Sequence, residues 1–355
     1  MIQWRAGSVT EVVRRRAGAT EVVVTTSDGS VRALAYPELV GDPRVGDRVL
    51  LNVTALSLGL GTGGYALVVA LPDRLPPDRD DPGHVVKARY TPLQATVLAV
   101  DEQDSPDHST LRDANSIDSM PVVVADLHSA LAPVLAGLRE GGGAPRAVYV
   151  MTDGGALPLA FSQSVSELRE AGWLAATVTV GQAFGGDLEA VTLHSGLLAA
   201  RLVLDADLAI VTQGPGNLGT GTRWGFSGVA SGEAVNATSV LGGRTIAALR
   251  ISEADARERH RGVSHHSLTA LGRVALAPAD IAVPQLDGEL GAVVSDAVAP
   301  LSPPHRLFPV AVDGLRDAIA HAPVKVSSMG RGLDEDLAYF LGCAAAGRLA
   351  ATCLR

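Results

Sequence analysis

Six apolar segments of the type found in parallel sheets constrain the fold of this chain most, because nearly every one ends in a loop of glycine, histidine or a short acid. The clearest are Pro121-Val-Val-Val-Ala-Asp-Leu-His-Ser129, Ala147-Val-Tyr-Val-Met-Thr-Asp-Gly-Gly155 and Asp207-Leu-Ala-Ile-Val-Thr-Gln-Gly-Pro-Gly216. Runs without alternation mark strands buried on both faces, as parallel sheets require. Helical segments fall between them. Strands are expected at 122–127, 147–152, 174–180, 208–212, 245–250 and 274–277. Helices are expected at 130–140, 162–171, 187–204 and 228–241, then one capped by Ser252, and an amphipathic one over 334–354. This is a Rossmann-like, doubly wound, mostly parallel α/β pattern. Open sheets of this kind bind ligands beyond the carboxyl ends of their strands. The expected site therefore lies in those loops.

Residues 1–71 read differently. Val- and Thr-rich runs at 8–15, 20–26, 31–36, 49–54 and 65–71 surround the turn Ser27-Asp-Gly-Ser30. Five short strands in such a span predict a small β-barrel of the OB or SH3-like kind. A polar, proline-rich linker is expected at 72–83, and the α/β domain over 84–355. The stretch 49–72 carries no charge and is long enough to span a bilayer. Asn52 and its run of glycines favour two strands and a turn instead, so no membrane partner is expected. A net charge of −9 and the lack of a basic tract disfavour nucleic acid, with binding through the barrel kept as an alternative. Cys343 and Cys353, about 15 Å apart on one expected helix, cannot bridge each other, which suits a reducing cytoplasm. A homodimer is expected.

Several groups carry potential chemistry. The loop Gly214-Pro-Gly216-Asn-Leu-Gly219 fits a dinucleotide pattern, but it follows the fourth strand, not the first. Arg250 stands where an acid would bind a ribose, so an NADP-binding oxidoreductase remains only an alternative. The backbone amides of that loop, with Thr220, Gly221, Thr222 and Arg223, offer an anion cradle; tight packing is the competing reading. In an extended strand end Asp126 and His128 would face the same way and, with Asp153, could hold a divalent metal. The segment Asp255-Ala-Arg257-Glu-Arg-His260-Arg-Gly-Val-Ser264-His265-His266-Ser267 is the densest polar cluster. His265 and His266 are candidate acid/base groups, with Asp126 and His128 beside them. Lys87 and Arg89, expected on one strand face, and Asp153, Arg250, Arg257 and His260 are candidate substrate contacts. A further loop, Ser327-Ser-Met-Gly-Arg331-Gly332, is expected nearby. His194 reads as a core histidine, and Asp187 and Glu189 as helix-capping acids.

Four motifs carry a resemblance: Met151-Thr-Asp-Gly-Gly-Ala-Leu-Pro158, Val180-Gly-Gln-Ala-Phe-Gly-Gly-Asp187, Gly214-Pro-Gly with Gly221-Thr222, and Arg261-Gly-Val-Ser-His-His-Ser267. Through them the chain resembles an uncharacterised bacterial family, actinobacterial in type, defined only as a domain of unknown function. That resemblance implies no activity. The residues themselves point to an enzyme of hydrolase or transferase type acting on a small anionic metabolite, phosphorylated ones included, at the carboxyl ends of the strands. A non-catalytic sensor or scaffold using the same crevice is the alternative.

Overall fold

The computed structural model describes residues 1–78, 80 and 82–354. Arg79 and Asp81, both in the expected linker, and Arg355 lie outside the described residues. The chain divides into two compact units, Met1–Val97 and Leu98–Arg355.

In the first unit β1 (Trp4–Arg16), β2 (Ala19–Thr26), β3 (Gly29–Ala35), β4 (Arg48–Asn52) and β5 (Ala66–Ala70) close a barrel in the order β1-β2-β3-β5-β4. β1 pairs with β2 on one side and β4 on the other, and its register shifts at Val9/Glu11 and Val12/Arg14. Such bulges bend a long strand enough to serve both edges. Val9, Val22, Val24, Val49, Leu51 and Val68 fill the interior. The uncharged stretch 49–72 is thus barrel strand, with the short helix Thr54–Ser57 between β4 and β5. Arg5, Arg15, Arg48 and Arg74 are each paired with an aspartate, as in Arg48–Asp73 at 2.7 Å. A hairpin of β6 (Val85–Lys87) and β7 (Ala95–Val97) completes this unit.

The second unit holds eight parallel strands: β8 (Pro121–Val124), β9 (Ala147–Thr152), β10 (Ala176–Val180), β11 (Leu188–Ala190), β12 (Leu208–Gln213), β13 (Arg244–Ala248), β16 (Asp280–Pro284) and β17 (Arg306–Val310). Between β13 and β16 the chain forms a hairpin, β14 (Ile251–Ser252) with β15 (Gly262–Val263). The sheet order is β11-β10-β9-β12-β8-β13-β16-β17. Side chains alternate across it. Val123, Tyr149, Met151 and Ile210 pack with helices Leu131–Arg139 and Leu337–Thr352. Val122, Val124, Val148, Val150 and Val211 pack with helix Leu193–Leu202 on the other face. Among the described residues no helix is long and apolar enough to cross a membrane.

Four expectations about elements are corrected. Residues 187–190 do not start a helix. Leu188–Ala190 is a strand, and the helix begins after Thr192, whose hydroxyl accepts from the Ser195 amide while Ser195 returns the bond. That reciprocal cap satisfies two amides that would otherwise lack partners. Ser252 caps no helix; its hydroxyl accepts from Asp255 N at 3.0 Å in a turn. Residues 274–277 are not a strand, since Ala270–Val274 is a wide helical turn. The final helix is not amphipathic. It is buried almost all round, because its alanines and glycines let it lie between the sheet and helix Leu131–Arg139.

Candidate functional site

The connection leaving β8 runs toward β9 and that leaving β12 toward β13, so the chain departs in opposite directions from two neighbouring strands. A crevice opens at such a switch point. It is lined here by Asp126, Thr152, Thr212, Gln213, Ser227 and Gly228, with apolar residues beneath. Gln213 pins its walls together: Nε2 donates to the Asp126 carbonyl at 2.7 Å and to Asn217 Oδ1 at 2.8 Å. A Cβ on Gly228 would come within 3.0 Å of Asp126 Cβ, so only glycine lets that turn approach so closely. Asp126 Oδ2 and Gln213 Oε1 are buried without a hydrogen-bond partner.

The loop after β13 supplies the rest. The β14–β15 hairpin folds residues 253–261 back, and Ser264 then caps helix His265–Thr269. The Ser264 hydroxyl accepts from His266 N and sits 2.7 Å from His260 Nδ1. This brings His260, His265 and His266 together, each with one ring nitrogen within 4.8 Å of the others'. Phe226 stacks on His266 with centroids 3.7 Å apart and planes at 4°, which fixes the ring. Arg250, 3% exposed, lies under the cluster. Its Nη1 is 3.1 Å from His266 Nδ1 and 3.8 Å from Asp126 Oδ2, and its Nη2 is 3.9 Å from Asp255 Oδ2. Asp126 Oδ2 is 3.6 Å from His266 Nδ1. Asp255 also takes both arms of Arg257 and one of Arg331, which bonds Asp336 at 2.9 Å.

These surroundings keep the His260 and His265 rings neutral. Burial, reinforced by the Arg250 and Arg257 guanidiniums, pushes the His260 pKa down to about 3. Burial, with the neighbouring His266 and Arg259, pushes that of His265 down to about 4. The Arg257 hydrogen bond holds the Asp255 carboxyl well below the usual carboxylate range.

The other expected site residues fall as follows. Asp126 joins the cluster but His128 does not. β8 ends at Val124, so the alternation that would align the two residues stops before it reaches them. Both His128 nitrogens are engaged elsewhere, Nδ1 with the Tyr149 hydroxyl at 3.0 Å and Nε2 with Ser162 at 2.7 Å. Asp153 accepts from Gln182 N and abuts Gly181. Among the described residues the only three-residue grouping of possible ligands is the histidine one. The expected Asp126, His128 and Asp153 metal set is therefore not assembled. Gly214 packs on the Ala156 carbonyl, where a Cβ would sit at 2.4 Å. Gly216, Gly219, Thr220, Gly221, Thr222 and Arg223 form an exposed loop, in which the Thr220 amide donates to the Gly225 carbonyl and the Gly225 amide to the Thr222 hydroxyl. The loop reaches the histidine segment at Gly221, where a Cβ would be 3.7 Å from Arg259 Nη2. Arg250 is enclosed by its acids and is not presented to a cofactor 2′-phosphate. Arg257 is committed to Asp255.

Lys87 ends β6 and Ala88 turns at φ 47°, so no strand carries its alternation on to the exposed Arg89; both belong to the first unit. His194 is exposed, not core. Asp187 holds Arg169 and Thr177, and Glu189 accepts from Thr179 Oγ1, so neither caps a helix. Phe226, Gln213, Ser264 and Arg259 escaped the sequence reading. Phe226 follows the glycine loop directly, the one signal that could have drawn attention to it.

His128 gives a pH prediction. Burial pushes its pKa down to about 4 from 6.5, so the unfolded chain binds a proton over that interval that the folded chain refuses. Stability is therefore complete above pH 6.5 and falls as pH drops toward 4. The ring is only partly buried by area, so the expected loss is about 2 kcal/mol. Urea melts across that range should show it, and His128→Gln should flatten the slope relative to the native chain.

Fold and site together define an α/β protein with an appended β-barrel and an imidazole cluster at the switch point of its sheet. The chain belongs to the DUF3866 family, described as a protein of unknown function, whose profile matches residues 32–347. No curated protein matches it.

Proposed function

We propose that this protein is an enzyme of hydrolase or transferase type acting on a small anionic metabolite, phosphorylated or carboxylated, at the carboxyl ends of β8, β12 and β13. The observation that carries the reading is the gathering of three histidines beside Asp126, which lines the crevice, with the exposed Arg259 next to the Gly221 loop tip. Arg259 and the loop amides take the substrate's charge, as guanidinium and peptide N–H groups do for phosphate and carboxylate. The imidazole cluster activates a water or hydroxyl nucleophile. His260 and His265 are neutral at pH 7 and too weakly basic to hold a proton there, so they are suited to donate electron pairs to an electrophilic centre and not to act as acids. Arg250 and Asp126 hold His266 from behind.

A panel of phosphate esters and small carboxylates tests this. His266→Ala should lower kcat/KM by roughly 100-fold or more, and Arg259→Ala should act mainly on KM. Equal turnover in native protein and His266→Ala would remove the reading. The protein is further read as a cytoplasmic homodimer. Trp4, Val13 and Leu50, exposed on barrel strands, favour self-association; a monomer in light scattering would refute it.

A further inference from the structure

We infer that His260, His265 and His266 form a binding site for one divalent transition-metal ion of the zinc type, the three imidazoles leaving a fourth coordination position to water or substrate. The inference concerns the same site and, for the chemical use of the metal, rests on the functional reading above; the binding itself does not.

Four features carry it. First, the three rings converge with one nitrogen each within 4.8 Å. For nitrogens at that limit the centre is about 2.8 Å from each, against about 2.0–2.1 Å in a zinc–imidazole bond. Inward ring shifts of about 0.7 Å or less close the site. Second, His265 Nε2 is buried and has no hydrogen-bond partner. An orphaned lone pair among other imidazoles is costly unless something accepts it. Third, the second nitrogen of His260 is already held. His260 Nδ1 sits 2.7 Å from the Ser264 hydroxyl, which orients Nε2 inward. Metal-binding histidines generally anchor their second nitrogen in this way.

The fourth feature is the arrangement behind His266. Arg250, which can only donate, is 3.1 Å from Nδ1 and so favours the tautomer with its proton on Nε2. Asp126 Oδ2, buried and without a hydrogen bond, waits 3.6 Å from the same Nδ1. Metal on Nε2 requires the proton on Nδ1, so Arg250 Nη1 must release that nitrogen and Asp126 Oδ2 must close from 3.6 Å to accept the proton. The shift moves one proton within the ring and leaves the net charge unchanged. Asp126 is then a positioning residue, completing a carboxylate–histidine–metal relay.

The guanidiniums do not forbid a cation here. Arg250, Arg257 and Arg331 are matched by Asp126, Asp255 and Asp336, so the inner shell starts near neutral. Three imidazoles select zinc, cobalt or nickel over magnesium or calcium, which prefer oxygen. The bound ion would leave the site positive, which suits an anionic substrate.

The test uses the full chain, stripped with chelator and titrated with Zn²⁺ by calorimetry, and with Co²⁺ by visible spectroscopy. One equivalent should bind, and cobalt should give the intense bands of a low-coordinate nitrogen site. His265→Ala should weaken binding by roughly 100-fold or more, and His321→Ala, an exposed histidine elsewhere, should not change it. Should His265→Ala fail to fold, the cobalt spectrum of the native chain decides alone. Absent or weak octahedral bands, or full affinity in His265→Ala, would overturn the site. Stoichiometric metal without turnover of any anion would leave the site standing and remove the functional reading. Undiminished turnover in metal-free protein would leave the functional reading standing and remove the metal's part in the chemistry.

Discussion

Arg250→Met should destabilise the folded chain by about 3–5 kcal/mol, the cost typical of removing one partner from a buried ion pair. Methionine follows the apolar stem only as far as Nε and leaves the buried space of the guanidinium head empty, so the loss combines a stranded charge with a small cavity. Arg250 lies between Asp126 and Asp255, all three under 10% exposed. Asp255 would keep Arg257 and Arg331. Asp126 would keep only an imidazole at 3.6 Å, so its charge is the one left stranded. Asp126→Asn in the same chain should therefore restore about half the loss, a coupling visible in a double-mutant cycle by urea denaturation. Additive losses, or a loss below about 1 kcal/mol, would mean that water reaches the Asp126 carboxylate after all.

The parallel core was legible because strands buried on both faces need unbroken apolar runs; Val122–Val124 and Ala147–Met151 cannot be anything else in a chain with helices between them. Strands toward the two ends of the sheet were not legible, because their sequences serve partners far away. Leu188–Ala190 contains Glu189, which reads as a helix cap until Thr179 Oγ1 and the Gly185 amide are seen to hold its carboxylate. β16 opens on Asp280, an unlikely start for a buried strand until Arg244 and Arg306 reach it at 2.8 and 2.6 Å. The histidine cluster stood out by composition, yet its geometry did not. His260 comes to His265 only through the β14–β15 hairpin, a turn that Ser252 disguises as a helix start. His128 was misplaced for a related reason, since strand alternation was carried four residues past Val124, where the strand ends.

Gly137→Ala and Gly347→Ala are each expected to cost about 3 kcal/mol by overpacking, against the intrinsic preference of helices, which favours alanine over glycine by about 1 kcal/mol. The opposite sign makes the test sharp. Helices Leu131–Arg139 and Leu337–Thr352 cross backbone to backbone. A Cβ on Gly137 would stand 1.9 Å from the Ala344 carbonyl oxygen, and one on Gly347 the same distance from that of Val134. Neither obstacle is a flexible side chain, so the helices must part. Parting them strips contacts from Leu135, Leu138, Phe340 and Leu341, which join both helices to the sheet. Because one separation relieves both clashes, the double variant should lose clearly less than the sum of the singles. Thermal melts of the three variants measure this. A stabilised Gly137→Ala would mean that the two helices lie further apart than this crossing requires.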